Sequence, residues 1–437
     1  MKLRLLFLVV PVCGLLACAG TSRAPEQFGA GVAVQLPEPQ HSLVPTVNVA
    51  AAKGWPAGKT PVVASGFAVT SYATGLDHPR WVYVLPNGDV LVAESNAPAD
   101  RPDDGKGVRS WFSRKLMAKA GAGTPSPNRI ILLRGLNGTG GAVTRTTFLE
   151  GLKSPFGMVL VRHDFYVANT DSLLRFTYHD GDTQLTGPGV KVADLPAGPI
   201  NHHWTKNVIA SADGKRLYVT VGSNSNVGEN GLAAEEGRAR IIEIDPASGR
   251  SRPFATGLRN PNGLGWNPQT GALWTAVNER DELGNDLVPD YMTSVRDGGF
   301  YGWPFSYYGR HPDPRIKEQN DALVAQAIVP DYALGSHTAS LGLAFYDGKL
   351  LGPHYSGGAF IGQHGSWNRK PRSGYKVIFV PFANGQPAGP PEDILSGFVS
   401  EAGDAYGRPV GVAVDRSGAL LVADDVGNVV WRVTKAL

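Results

Sequence analysis

The chain has 437 residues, 55 of them glycine and 33 proline, and a net charge of only +3. That length suits a large all-β unit, and so many turn-forming residues imply short strands, which excludes a helical bundle. The small, scattered positive charge excludes a nucleic-acid-binding protein.

Lys2 and Arg4 precede an apolar run over residues 5–12 that is too short to cross a bilayer comfortably, the pattern of an export signal. Leu15-Leu16-Ala17-Cys18 then has the form of a bacterial lipobox. Residues 1–17 read as a lipoprotein signal peptide and Cys18 as the lipidation site, where several acyl chains together anchor firmly. Ala19 rather than Asp after the cysteine points to the outer membrane, on the periplasmic face. A plain secretory signal is the alternative. Cys13 and Cys18 are the two cysteines, so the mature body has no disulfide, thiolate metal site or cysteine nucleophile. Residues 18–62, rich in Ala, Gly and Pro without periodicity, read as a flexible tether.

From residue 63 to 437 one pattern recurs six times: a turn, an apolar strand, a second turn, and an apolar strand ending in a polar residue. The copies end at Glu94, Asn169, Ser223, Asn278, Gln363 and Asp424. Their turns include Asn87-Gly88, Asp213-Gly214, Asp347-Gly348 and Ser417-Gly418, which are hairpin signals. Six widely spaced copies predict an all-β, six-bladed β-propeller. The polar-ended strands are expected to be innermost, bringing a polar ring to one mouth of the channel. An insertion at about residues 96–128 holds a short basic amphipathic helix over residues 111–120.

No phosphate cradle, His-Glu-x-x-His, Gly-x-Ser-x-Gly or paired-cysteine motif occurs, so the candidate chemistry lies in histidines and arginines at the turns. Asn201-His202-His203-Trp204-Thr205-Lys206 puts two imidazoles, which titrate near neutrality, at the head of a repeat. Gly257-Leu258-Arg259-Asn260-Pro261-Asn262-Gly263-Leu264 leads through a strand to the acidic loop Asn278-Glu279-Arg280-Asp281-Glu282, and Gly299-Phe300-Tyr301-Gly302-Trp303-Pro304 follows. Gln363-His364-Gly365-Ser366-Trp367-Asn368-Arg369 and Tyr406-Gly407-Arg408-Pro409 complete the set.

This order of motifs resembles the quinoprotein glucose/sorbosone dehydrogenases, propellers that carry pyrroloquinoline quinone (PQQ) and calcium. The resemblance covers about residues 65–435 and is strongest over 201–304 and 360–370. It implies oxidation of an aldose or sugar aldehyde, such as sorbosone, to the lactone or acid, with a membrane quinone or cytochrome as electron acceptor. His203 is the implied base and His202 the second choice. Arg259, Asn260, Lys206, His337, His364, Trp367, Arg369 and Arg408 are the implied cofactor contacts, Trp367 by stacking and Arg369 by pairing a carboxylate. A guanidinium such as that of Arg259 suits the charge that reduction places on the quinone oxygens. The backbone carbonyls of Arg280 and Asp281 fall where the family binds calcium. One departure stands out: Ser223 replaces the aspartate that orients the catalytic histidine in glucose-oxidising members, so that either another acid, Glu229 or Glu235, takes that role or the base is tuned differently. Two other readings of a propeller remain: a lactonase holding a metal through Glu94, Asn169, Asn278 and Asp424, and a non-catalytic binding lipoprotein.

Overall fold

The computed structural model describes residues 20–26, 28–40, 46–99, 115, 118–137 and 140–436. The signal peptide and Cys18 lie outside them, as does most of the helix expected over 111–120, of which only Lys115 and residues 118–120 are described.

Six antiparallel sheets form the six expected blades. Blade 1 is Pro79–Val84, Val90–Glu94, Arg129–Arg134 and Thr144–Leu149, and blade 2 is Met158–Val161, Asp164–Ala168, Ser172–Thr177 and Val190–Asp194. Blade 3 is Val208–Ala210, Leu217–Val221, Arg240–Ile244 and Ser251–Thr256. Blade 4 is Pro261–Trp266, Leu273–Val277, Pro289–Ser294 and Tyr332–Ser336. Blade 5 is Ser340–Phe345, Ala359–Gln363, Lys376–Val380 and Glu392–Ser396. Blade 6 joins three C-terminal strands, Pro409–Val414, Leu420–Asp424 and Val429–Lys435, to the N-terminal strand Phe67–Ala73. Pairing the two ends of the chain within one blade closes the ring and removes its edge. The Gly299-Phe300 motif adds a parallel fifth strand to blade 3, beside Ala255 and Thr256.

The polar-ended strands are second in each blade, not innermost as expected. The first strands line the axis: Pro261–Trp266 packs on Ser340–Phe345, which packs on Pro409–Val414, which packs on Pro79–Val84. In blades 4, 5 and 6 the first strand carries glycine where neighbouring blades approach closely. A Cβ on Gly342 would lie 2.1 Å from the Val410 carbonyl oxygen, and one on Gly263 would lie 2.6 Å from the Leu343 nitrogen. The second strands are instead largely apolar up to their polar ends and are buried along their whole length. Their register nonetheless brings the polar ends to the mouth where the first strands begin: Glu94 faces Pro79, Gln363 faces Ser340 and Asp424 faces Pro409.

Aromatic and branched side chains fill the spaces between blades. Between blades 1 and 2, Trp81 packs at a tilt on Phe156, ring centroids 4.8 Å apart, and Phe148 meets Phe165 edge-on at 5.4 Å. Asp347-Gly348 does not close a tight hairpin. A longer loop with a 3₁₀ turn at Pro353–Tyr355 intervenes before the next strand.

The segment read as a flexible tether lies along the propeller wherever it is described. Ala30–Gly31 extends blade 4, Val62–Val63 extends blade 5, and Val34 and Leu36 pack on the core of blades 3 and 4. Trp55 donates from its indole to Asp424 at 2.7 Å and meets Phe398 and Trp431 edge-on. Aperiodic sequence hides this docking, because the strap is held residue by residue through distant partners.

Candidate active site

The turn that carries the two histidines is pinned from below. The Arg238 guanidinium donates to the His203 carbonyl at 2.9 Å and to Asn201 Oδ1 at 3.2 Å. Asn201, at φ 41°, donates to Thr170 Oγ1. Lys206 is fully buried, and its Nζ reaches the Trp204 carbonyl at 3.2 Å. Lys206 therefore braces the turn rather than reaching the mouth, a correction to its expected cofactor role. Burial, reinforced by Arg238, holds its pKa well below the usual lysine value.

His203 Nδ1 lies 2.8 Å from the Ser223 carbonyl oxygen and 3.1 Å from Ser223 Oγ, which itself donates to the Ser225 carbonyl. A carbonyl only accepts, so Nδ1 carries the hydrogen and Nε2 presents its lone pair. Burial, then the charge of Arg259, keeps the ring pKa well below the usual value, and the imidazole is neutral. Ser223 thus orients the ring through its backbone and hydroxyl. Neither suggested acid does so: Glu235 accepts from Asn224 N–H and Ser225 Oγ, and Glu229 accepts from the amides of Asn226 and Val227. The rings of His202 and His203 meet nearly at right angles, 4.9 Å apart.

Arg259 and Asn260 stand next to His203. A Cβ on Gly222 would lie 2.4 Å from Asn260 Oδ1 and 2.6 Å from His203 Cβ, so glycine lets the three meet. Asn260 Oδ1 is buried without a partner. The Arg259 guanidinium is held by the Glu279 carbonyl at 2.7 Å and by Asn226, 3.8 Å from the Asp281 carboxylate.

Asp281 organises the loop beside it. His337 Nδ1 lies 3.2 Å and Asn368 Nδ2 2.5 Å from its Oδ1. Burial works against the charge of this carboxylate, but His337, Arg259 and Asn368 outweigh it and hold the pKa below the usual value. His337 also binds the Gly284 carbonyl through Nε2, so both ring nitrogens clamp the loop and neither faces a ligand. The Asp281 carbonyl, expected to bind calcium, already accepts from Arg315 Nη1 at 2.7 Å and from Asn226 Nδ2 at 3.2 Å. The Arg280 side chain is buried in a staple with Glu279 and Asp313, both at 3.0 Å. Among the described residues, no group of three or more His, Cys, Asp or Glu is gathered to hold a metal.

A second cluster was not foreseen as a unit. Asp425, fully buried, accepts from Arg80 Nη1 at 2.5 Å and from His364 Nε2 at 2.9 Å. Arg80 lies over the Trp204 ring at 5.7 Å, which links this cluster to the His203 turn. Arg408 reaches the Ala50 carbonyl at 3.3 Å and stands over Tyr375 at 5.0 Å. The Nε atoms of Arg80 and Arg408 are buried without partners. The repeat offered the one available signal: Arg80 and Arg408 both adjoin the proline that opens a first strand, and Asp425 follows a polar strand end.

Burial, against the opposing pull of Asp425, lowers the His364 pKa to about 4. An unfolded histidine titrates near pH 6.5, so between about 6.5 and 4 the unfolded chain binds the extra proton and the fold loses stability as pH falls. Over that window His364 is expected to cost the wild type about 3 kcal/mol, at 1.36 kcal/mol per pKa unit. Urea unfolding at pH 7 and pH 4.5 checks this. A His364→Gln variant should show a shallower acid loss, and an equal loss would refute the assignment.

The expectations for Arg369 and for a lactonase metal are corrected. Arg369 is buried and spent on the Asn285 and Pro371 carbonyls, Ser22 Oγ and Asp286, so it is not free to pair a ligand carboxylate. Trp367 lies on the rim, 37% exposed. The four residues that would hold a lactonase metal are separately engaged. Glu94 pairs with Arg129 and Arg145, and Asn169 accepts from the Lys153 amide. Asn278 faces Arg259, and Asp424 accepts two indole and two backbone N–H groups.

The Glucose / Sorbosone dehydrogenase family model matches residues 160–366, and a TrAA12-like one matches residues 308–436. An uncharacterised protein of Borreliella burgdorferi is 28% identical over 242 residues, 55% of this chain and 62% of that protein, so the chain spans less than two thirds of this relative. The pyrroloquinoline quinone-dependent sugar dehydrogenase of Hypocrea jecorina is 23% identical, across 84% of this chain and 87% of that one. Among solved structures, the holo form of the pyranose dehydrogenase PQQ domain from Coprinopsis cinerea superposes with a TM-score of 0.68 at 20% identity, covering 88% of this chain and all of that one. The soluble aldose sugar dehydrogenase of Escherichia coli, in its apo form, gives 0.56 at 17% identity, covering 85% of this chain and all of that one. The structural likenesses establish the six-bladed propeller, and the family match carries the resemblance read from the motifs.

Proposed function

We propose that this chain, a relative of the glucose/sorbosone dehydrogenases, is a PQQ-dependent dehydrogenase of aldose sugars or sugar aldehydes of the sorbosone kind. One observation carries the reading: a neutral His203, with Nδ1 locked on Ser223 and the Nε2 lone pair free, stands beside Arg259 in a mouth rich in guanidinium groups.

The residues fit a flat polyanion. Arg80 and Arg408 each keep a buried, unpartnered Nε, and Asp281 and Asp425 are already paired with His337 and His364. Arg80, Arg408, Arg259 and Asn260 would hold PQQ, with His364 at its edge. When bound, PQQ supplies the hydride acceptor. His203 Nε2 takes the proton of the sugar hydroxyl as the carbonyl forms, and Arg238 and Lys206 keep the turn from moving as it does so. Arg259 supplies fixed positive charge where negative charge develops, at no reorganisation cost because Asn226 and Glu279 already hold it. For calcium, the Asp281 carbonyl fits poorly while Arg315 occupies it. The anchor is lipid on Cys18 at the periplasmic face, and electrons pass to a membrane quinone or cytochrome.

The test is reconstitution of the purified protein with PQQ, with and without calcium, followed by dye reduction across aldoses, sorbosone and alditols. Turnover that requires PQQ is expected. Absence of both spectral PQQ binding and turnover would sink the reading.

A further inference from the structure

The strap begins at the site-bearing mouth. The Gly20 carbonyl accepts from Asn285 Nδ2 at 2.6 Å, the Ser22 amide donates to the Lys370 carbonyl, and Ser22 Oγ reaches Asp286 at 2.7 Å. Residues 281–286 are the loop clamped by His337, and residues 364–372 follow the second strand of blade 5, so both belong to the mouth. Two peptide units separate Cys18 from Gly20, at most about 7 Å of chain. A membrane anchor at Cys18 is therefore tied directly to this rim, with no tether between.

The rim has the composition of a bilayer interface. Trp367 is 37% exposed although its backbone is tied to the strap, its carbonyl accepting from the Asn48 amide. Val47, beside Asn48, is 41% exposed, and Phe28 is 36% exposed. Phe28 falls between Glu26, which pairs with Lys376, and Gly29, which lies against Ser336. Arg23 and Lys370 are exposed side by side, through the Ser22–Lys370 backbone bond. The neighbouring acids are already engaged, Glu26 by Lys376 and Asp286 by Arg369. Exposed Trp and Phe with unopposed cations favour the headgroup layer of an anionic membrane.

We propose that the rim formed by Arg23, Phe28, Val47, Trp367 and Lys370 rests on a lipid bilayer, so that the mouth of blades 4 and 5 lies against the membrane surface. The inference rests on the lipid-anchor reading above. It gives that reading an orientation: reduced cofactor is held at the bilayer, within reach of a lipid-soluble electron acceptor, while blades 1 to 3 face solvent and admit sugar.

The experiment uses the full chain, expressed with its export signal and reconstituted into vesicles of phosphatidylethanolamine and phosphatidylglycerol, with or without brominated phosphatidylcholine. Mass spectrometry of the N-terminal peptide reports lipid on Cys18. Brominated lipid is expected to quench the tryptophan emission of wild type more than that of Trp367→Phe, and hydrogen exchange at residues 20–32 and 364–372 is expected to slow on vesicles. Lipidated, vesicle-bound protein with equal quenching in both variants and no protection would overturn the orientation and leave the anchor standing. An unmodified Cys18 would remove the anchor and the rim contact together. The PQQ reconstitution, read separately, is unaffected by either result.

Discussion

Replacing His203 with alanine is expected to lower kcat for sugar oxidation about 10²–10⁴-fold, the usual contribution of a positioned general base. PQQ binding, followed by its absorbance, should change little, because in the proposed site Arg80, Arg408 and Arg259 would carry the charges that meet the cofactor. The KM for sugar should move less than kcat, since the lost interaction is a proton transfer rather than ground-state binding. His202→Ala is the internal control. Its ring packs on that of His203, whose own Nδ1 is fixed by Ser223. A His202 variant with the larger loss would transfer the base to that residue. Equal activity in both variants would refute proton transfer by this turn.

The largest stability effect is expected at Arg280. Its guanidinium is wholly buried, donates to the Pro304 and Ser306 carbonyls, and pairs with Glu279 and Asp313, which are themselves buried. Arg280→Met keeps most of the volume but leaves two buried carboxylates short of a partner. Breaking a buried ion pair from one side costs about 3–5 kcal/mol. Arg315 still pairs with Asp313, so Glu279 bears most of that cost. The urea midpoint should fall with little change in the slope. Because Glu279 also presents the carbonyl that holds Arg259, PQQ affinity should fall in the same variant. A shift below 1 kcal/mol would mean that the staple is relaxed in solution.

The site was only partly legible. His203, Arg259 and Asn260 stand together because each opens a first strand or the turn before it, and the repeat places such turns at one mouth. Lys206, His337 and Arg369 occupy equally suggestive motif positions, yet each is turned inward to brace a loop. Residue type and spacing do not distinguish a cation facing a ligand from one facing a carbonyl. That choice is made by the partner, and for two of the three the partners lie far off in sequence: Arg369 meets Asp286 and Ser22, and His337 meets Asp281 and the Gly284 carbonyl. The Asp425 cluster was missed for the same reason, since Arg80 and Asp425 come from opposite ends of the chain.

What the sequence determined by itself is the part that depends on short-range pattern. Apolar strands separated by Gly-containing turns make hairpins, and six copies of a hairpin that cannot bury its faces alone must stack into a ring. Tertiary structure decided what depends on approach between distant segments. It brought blade 5 against blade 6 so closely that only residues without Cβ, Gly342 and Gly362, fit beside the Val410 carbonyl. It turned an aperiodic stretch into a strap, because its docking is carried by single hydrogen bonds and buried side chains such as Trp55 on Asp424 rather than by any repeating face.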